Sequence, residues 1–263
     1  MPRANRYFLP GYIWHITHRC HKKEFLLKFK KDQNLWLKWL YEAKKRFGLI
    51  ILNYILTSNH IHMIAEDNGK GDVIPKSMQL VAGRMAQEYN QRKDRNGAFW
   101  EDRYHATAID SDGHLLQCLK YVDLNMVRAG VVGHPKDWQN SGYNEIQNPK
   151  QRYKLLDLKR LPILFGFDSL LEFQKHHKLW IDEALKNDRL ERDSKWSESI
   201  AVDRKSFVEE VHRKLGYKVK GRKVSQIEAS YLIKEPIGSY STFFDGKNVP
   251  LRVENTYLWD VTL

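Results

Sequence analysis

Two histidines separated by a single residue, His60 and His62, are the side chains best suited to chemistry in this sequence. They follow an apolar run from Leu49 to Leu56, and the pattern predicts two neighbouring strands joined by a polar turn at residues 57–59. Alternate side chains of a strand share a face, so both imidazoles are predicted to stand side by side on a sheet. Such a pair can bind a metal, but it also fits two polar residues that simply face water.

A later helix carries a tyrosine and an amide. It is predicted to begin at Asp110–Gly113 and to run to about Ala129, where Gly130 stops it. Its apolar stripe is formed by Leu115, Leu119, Val122 and Met126. At about 100° per residue, a separate row beside this stripe holds Gln117, Tyr121, Asn125 and Arg128.

A phenol is a poor nucleophile at neutral pH, so a tyrosine that attacks a phosphodiester needs a polarised target. A divalent metal supplies this polarisation, and two imidazoles with one amide oxygen suit Mg²⁺ or Mn²⁺. The sequence therefore predicts Tyr121 as the nucleophile and His60, His62 and Asn125 as metal ligands. The alternative for Tyr121 is a packing role at the helix edge.

The elements that must position these residues follow the order of a split βαβ unit. A strand is predicted at Tyr12–Arg19 and a strand or extended loop at Phe99–Ile109, besides the histidine strand and the apolar strand before it. Helices are predicted at Asp32–Phe47, with Asp32 as N-cap and Gly48 as terminator, and at 74–95. The predicted fold class is α+β: a ferredoxin-like antiparallel sheet with helices on one face, followed by a mainly helical C-terminal extension.

The second half of the sequence contains fewer patterns that indicate structure or function. Helices are predicted at 163–173, 175–185, 203–215 and 224–231, a charged mobile segment at 186–199, and a surface position for the pair His176–His177. We expect a catalytic domain at 1–135, a connecting helical segment at 136–200 and a C-terminal region at 201–263 that could contact DNA through a basic loop. The stretch 238–263 is expected to wrap over another surface.

Bulk properties favour a polyanionic partner. The formal net charge is +12, and the first fifty residues hold 12 Lys and Arg against 3 Asp and Glu; a merely basic protein remains the alternative. No signal sequence or membrane-length apolar run is present, so a cytoplasmic location is expected. Cys20 and Cys118 are predicted to be packing thiols, and alternation splits His15, His18 and His21 between faces, which argues against a second metal site there.

Four segments in order resemble the single-tyrosine HUH transposases related to the smallest bacterial insertion sequences, and their REP-associated chromosomal relatives. They are residues 2–19 with Trp14-His15-Ile16-Thr17, the stretch Asn59-His60-Ile61-His62, residues 99–105, and Tyr121 to Arg128. The resemblance covers about residues 1–135. Met126 stands where the relatives often have proline, and insertion-sequence relatives have glutamine at the place of Asn125.

This resemblance implies a metal-dependent single-strand DNA endonuclease and strand transferase that acts at or near hairpins through a 5′-phosphotyrosine. The expected partner is single-stranded or hairpin DNA, with the protein acting as a monomer or a homodimer and not at a membrane. Candidate site residues beyond the metal ligands and Tyr121 are the DNA contacts Arg3, Arg6, Arg19, Arg103 and Arg128, and the site-lining residues His15 and Asn59. The alternatives are a hairpin-binding regulator that does not cut, and a relaxase or replication initiator.

Overall fold

The computed structural model describes residues 9–110, 113–187, 193–227 and 230–234. Its strands are β1 (Ile13–Arg19), β2 (Ile50–Leu56), β3 (His60–Glu66), β4 (His105–Ile109), β5 (Ser199–Asp203), β6 (Val224–Ile227) and β7 (Ser230–Lys234). Its α-helices are α1 (Lys30–Phe47), α2 (Val73–Arg92), α3 (Gly113–Asp123), α4 (Asn125–Arg128), α5 (Gly142–Gln147), α6 (Arg160–Leu164), α7 (Leu170–Lys186), α8 (Lys195–Glu198) and α9 (Lys205–Leu215).

All seven strands join in one sheet with the order β2-β3-β1-β4-β5-β7-β6. The first four are antiparallel neighbours, and their order and connections are those of the predicted ferredoxin-like sheet, which is confirmed. In the β1–β3 ladder, Thr17 lies opposite His62 and Arg19 lies opposite His60. The central strand β1 therefore borders the histidine strand along its whole length.

Helices cover both faces of this sheet, whereas the sequence predicted them on one face. The crossover helices α1 and α2 pack against each other on the face of the sheet that carries His18. Trp100 identifies this face: its ring stacks on His18, and its Nε1 donates to the carbonyl oxygen of Ala82 in α2 at 3.1 Å. The helix α3 lies on the opposite face, where the Tyr121 ring contacts His62. All seven residues of β1 are buried, as expected for a strand covered on both sides.

Three predicted boundaries differ from the observed ones. The helix α1 begins at Lys30, and Asp32 is not its cap but a buried partner of Arg92. The strand β4 begins only at His105, because residues 99–104 form turns and a single bridge. The predicted helix at 110–129 is interrupted at Leu124, whose φ and ψ are −81° and 5°, so Asn125 begins a new turn.

The C-terminal extension contains the predicted helix at 203–215, but it also adds three strands to the sheet. Residues 224–227 and 230–231, which fall within a predicted helix, lie instead in the antiparallel strands β6 and β7. The strand β5 pairs in parallel with β4 and so joins the extension to the ferredoxin-like part. The described end of the segment predicted to be mobile holds Trp196, which is 1% exposed.

The helical part of the extension is also divided differently from the prediction. A single helix, α7, covers the second predicted helix and the end of the first. The shorter helix α6 lies before it, and a turn at Gly166 separates the two. His177 is fully buried in α7, so its predicted surface position was wrong, whereas His176 is exposed.

Some predictions concern residues outside the described part of the chain. Arg3, Arg6 and the stretch 238–263 fall there. Among the described residues, no helix combines the length and apolar character needed to cross a membrane.

Candidate active site

A chain of hydrogen bonds fixes the protonation pattern of two buried histidines. Nδ1 of His15 lies 2.9 Å from the carbonyl oxygen of Trp196, which can only accept, so this nitrogen carries the proton. Complete burial lowers the pKa of His15 to about 3, so its ring is neutral and its Nε2 accepts. Nδ1 of His62 lies 2.9 Å from that Nε2 and must donate to it. In a neutral His62, Nε2 is therefore the nitrogen with the lone pair.

The turn that precedes His60 fixes the position of its ring proton in the same way as in His62. Its Nδ1 lies 2.7 Å from Oδ1 of Asn59 and 2.9 Å from Oγ1 of Thr57. The amide oxygen can only accept, so Nδ1 of His60 donates and its Nε2 also keeps a lone pair. Both histidines of the pair thus have the tautomer that suits a metal ligand, each set by a second residue behind it.

Tyr121 packs directly on the histidines. Its ring centre lies 5.7 Å from that of His62 and 6.0 Å from that of His15, with edge-to-face angles of 82° and 87°. The rings of His60 and His62 are 5.0 Å apart. The helix α3 therefore brings the tyrosine over the histidine strand, as the sequence predicted.

Arg128 packs on the ring of Tyr121. Its guanidinium carbon is 4.1 Å from the ring centre of Tyr121, and Nη2 donates to the main-chain oxygen of the same residue at 2.9 Å. A cation at this distance favours negative charge on the phenol.

Asn125 and His60 face the same small cavity of about 130 Å³, which Asn59 also lines. The break of the helix at Leu124 places Asn125 at the start of α4, beside the histidine turn. The amide is thus near His60, while Tyr121 and Arg128 line a different cavity, of about 430 Å³, between α3 and the extension.

The chemistry of the predicted donor set bears on which metal could bind. Among the described residues, no group of three or more His, Cys, Asp or Glu is arranged to hold a metal ion. The predicted set has only two such residues and an amide, and its two imidazoles have the required tautomers. These three side chains therefore fit a cation that keeps positions open for phosphate oxygens.

The predicted DNA contacts are dispersed. Arg19 is 5% exposed and its guanidinium pairs with Glu101, so a DNA strand would have to compete with that carboxylate. Arg103 is partly exposed, and Arg128 is held against Tyr121. Arg3 and Arg6 lie outside the described residues.

Sequence reasoning missed two contributions to the site. One is Trp196, whose carbonyl oxygen orients His15 from a position 181 residues away. The other is a buried network at the end of α3, in which Asp123 accepts from Nε2 of His177 at 2.8 Å and from Asn53 at 2.9 Å. The spacing of Phe173, His177 and Ile181 by four residues was the signal that placed His177 on the buried face of α7.

Comparison with known proteins adds one family match. Residues 10–125, less than half of the chain, match the profile of the family described as "Transposase IS200 like". This region contains His15, His60, His62 and Tyr121, and ends at Asn125. Residues 10–125 are thus similar to an IS200-like transposase domain. The IS200-like domain thus contains the four strands of the ferredoxin-like sheet, and Trp196 lies beyond it.

Two solved structures are also similar to the chain. One is the structure of a REP-associated tyrosine transposase bound to a REP hairpin, with 17% identity over 59% of this chain and 90% of that chain, and a TM-score of 0.47. The other is the crystal structure of a putative transposase from Deinococcus radiodurans R1, with 16% identity over 46% of this chain and 94% of that chain, and a TM-score of 0.32. No curated protein matched the chain.

Proposed function

We propose that this transposase is a metal-dependent single-strand DNA endonuclease and strand transferase, and that Tyr121 is its nucleophile. The observation that carries the proposal is the packing of the Tyr121 ring 5.7 Å from His62, in a pair of histidines whose Nδ1 atoms are both engaged. A tyrosine that merely filled the helix edge would not require two neighbouring imidazoles whose Nδ1 atoms are both hydrogen-bonded.

The reaction joins the phenol oxygen of Tyr121 to the phosphorus of the scissile phosphate. The bond from phosphorus to the 3′ oxygen breaks, and the proton lost by the phenol is balanced by the one that the 3′ oxygen gains. The products are a 5′-phosphotyrosine and a free 3′-OH. Attack by a 3′-OH on the phosphotyrosine reverses these steps and joins the strand, at the same or another site, without an added energy source.

The side chains around Tyr121 have separate tasks. Arg128 stabilises negative charge on the phenol ring from 4.1 Å, and it holds the ring through the bond to the main-chain oxygen. His60, His62 and Asn125 would hold the cation, while His15 and Asn59 keep the imidazoles in the ligating tautomer. A bound Mg²⁺ or Mn²⁺ supplies charge neutralisation at the phosphoryl oxygens.

We propose single-stranded DNA, presented at or near a hairpin, as the substrate. The net charge of +12 suits a polyanion, and the family match to a transposase makes DNA the polyanion concerned. Arg103, together with Arg3 and Arg6 outside the described residues, remains a proposed contact to the DNA backbone. Action as a monomer or homodimer is also a proposal.

The test is a labelled hairpin oligonucleotide incubated with Mn²⁺ and the protein, and scored for a covalent band that resists denaturant. We expect the wild type to form this band and Tyr121→Phe to lose it while it still binds the hairpin, because only the hydroxyl group is removed. A persisting band in Tyr121→Phe would exclude this nucleophile. Hairpin binding without any band in the wild type would identify a non-cutting binder instead.

A further inference from the structure

Two phenylalanines between β1 and α1 point their rings into solvent. Phe25 is 53% exposed and Phe29 is 56% exposed, whereas Leu26 and Leu27 between them are buried. The segment therefore buries its smaller apolar side chains and exposes its largest ones. An exposed aromatic pair of this kind indicates a binding surface more than a folding requirement.

This segment is held firmly against the turn that carries His60. The amide of Leu27 donates to the carbonyl oxygen of Ser58 at 2.8 Å, and Nδ2 of Asn59 donates to the carbonyl oxygen of Lys23 at 3.2 Å. Nε2 of Gln33 in α1 donates to the carbonyl oxygen of Leu27 at 2.9 Å. The main chain that carries both phenylalanines is thus held against the histidine turn.

The surface is continuous with the candidate active site. Phe25 and Lys28 line the same cavity of about 130 Å³ as His60. The ammonium group of Lys28 also lies 5.9 Å from the ring centre of Phe29, and Lys93 approaches that ring from 5.3 Å. Beyond it lies a groove of about 440 Å³ between α1 and α2, whose basic lining residues are Lys31, Lys38 and Arg92.

The charge of this surface suits a phosphate backbone. Residues 22–31 contain five lysines and one glutamate, and that glutamate, Glu24, pairs with Arg95 at 3.4 Å. Protein-docking patches are depleted of charge at their centre, whereas here ammonium groups flank Phe29. Rings that alternate with cations are the arrangement used to bind unpaired nucleic acid, because every base offers a face for stacking and every nucleotide a phosphate.

We propose that Phe25 and Phe29 form a stacking platform for unpaired bases of the DNA strand that leads away from the active site, with Lys28 and Lys93 neutralising its phosphates. The inference rests on the proposed function only for the choice of DNA as ligand. It adds a binding surface that the metal and tyrosine chemistry does not require. Paired bases have no free faces, so the platform selects single strands over duplex.

The experiment compares two double variants in a Tyr121→Phe background, which keeps covalent chemistry out of the binding measurement. Phe25→Leu with Phe29→Leu removes both rings but keeps apolar bulk, and Phe25→Trp with Phe29→Trp keeps aromatic faces. The affinity for a fluorescein-labelled oligothymidine and for a fully paired duplex is measured by fluorescence anisotropy. Leu171→Ala, at a position 62% exposed in α7, is the control.

We expect the leucine variant to bind the single strand about tenfold more weakly and the tryptophan variant to bind it at least as well as its parent, with duplex affinity unchanged in both. Unchanged single-strand affinity in the leucine variant, or an equal loss for duplex, would overturn the platform. Circular dichroism of each variant verifies the fold.

The result of this binding experiment can be distinguished from the result of the covalent-adduct test of the proposed function. If the wild type forms the covalent band but the leucine variant keeps full affinity, only the platform is wrong. If the wild type forms no band but the leucine variant loses single-strand affinity, the platform stands and the nucleophile assignment fails.

Discussion

The guanidinium group of Arg128 lies over the ring of Tyr121 at 4.1 Å and is bonded to the main chain of the same residue. The two residues belong to different helices, α3 and α4, separated by the break at Leu124. The contact therefore ties the candidate nucleophile to the helical turn that begins with the amide of Asn125. Chemistry at the phenol is expected to depend on this cation.

Replacing Arg128 by Gln should slow covalent adduct formation by about tenfold, because a partly buried cation–π contact contributes about 0.5–2 kcal/mol. The measurement is the single-turnover rate of adduct formation at saturating hairpin, together with hairpin affinity from anisotropy. Arg128→Lys keeps the charge and should lose less. A large loss of affinity with an unchanged saturated rate would instead identify Arg128 as a DNA contact.

His15 and Asn59 should control metal affinity without touching the metal. Each accepts the Nδ1 proton of one histidine of the pair, so His15→Ala or Asn59→Ala should weaken Mn²⁺ binding by about 10–100-fold. Titration calorimetry with Mn²⁺ and no DNA measures this effect directly. His176→Ala, an exposed histidine of α7, is the control, and equal Mn²⁺ affinity in all the proteins would refute the assignment.

The buried contact between His177 and Asp123 should matter for stability. Both side chains are fully buried, and Asp123 lies two residues after Tyr121 at the end of α3. His177→Ala leaves the carboxylate short of one hydrogen bond, which should lower the free energy of unfolding by about 3 kcal/mol. Urea denaturation gives the value, and the neighbouring His176→Ala should change it little. A loss of the same size in both variants would mean that the Asp123 contact is not the cause.

Cys20 provides a prediction for the alkaline range. Burial raises the pKa of its thiol from 9.0 to about 12, so in this range the unfolded chain gives up a proton that the folded chain keeps. The stabilising contribution is complete below pH 9.0 and is lost as the pH rises toward 12, by at most about 1.4 kcal/mol per pH unit. Cys20→Ala should make the fall in unfolding free energy over this window less steep. Equal slopes for the variant and the wild type, measured by urea denaturation, would contradict the predicted shift.

The ferredoxin-like part of the fold was predictable because its signals are local. Apolar runs, helical stripes and the left-handed Gly48 after α1, with φ of 73°, mark each element within a few residues. The hairpin of β6 and β7 was not predictable from such signals. Strand β6 pairs with β7, and β7 pairs in turn with β5, so the extended conformation depends on a pairing that joins distant parts of the chain.

The candidate site was predicted as far as strand alternation and helical spacing reach. His60 and His62 on one strand, and Tyr121 with Arg128 on one helical row, needed no knowledge of the fold. The bond from His15 to Trp196 and the exposure of Phe25 depend on which surfaces the folded chain covers. No pattern within a short window carries that information.

The bond between His15 and the carbonyl oxygen of Trp196 has a consequence for biosynthesis. A ribosome that has completed the IS200-like domain has not yet translated the acceptor that orients His15, nor the strand that pairs with β4. A nascent or prematurely terminated product therefore lacks this support for His62. Under the proposed function, competence to cut DNA would therefore be deferred until translation has passed Trp196.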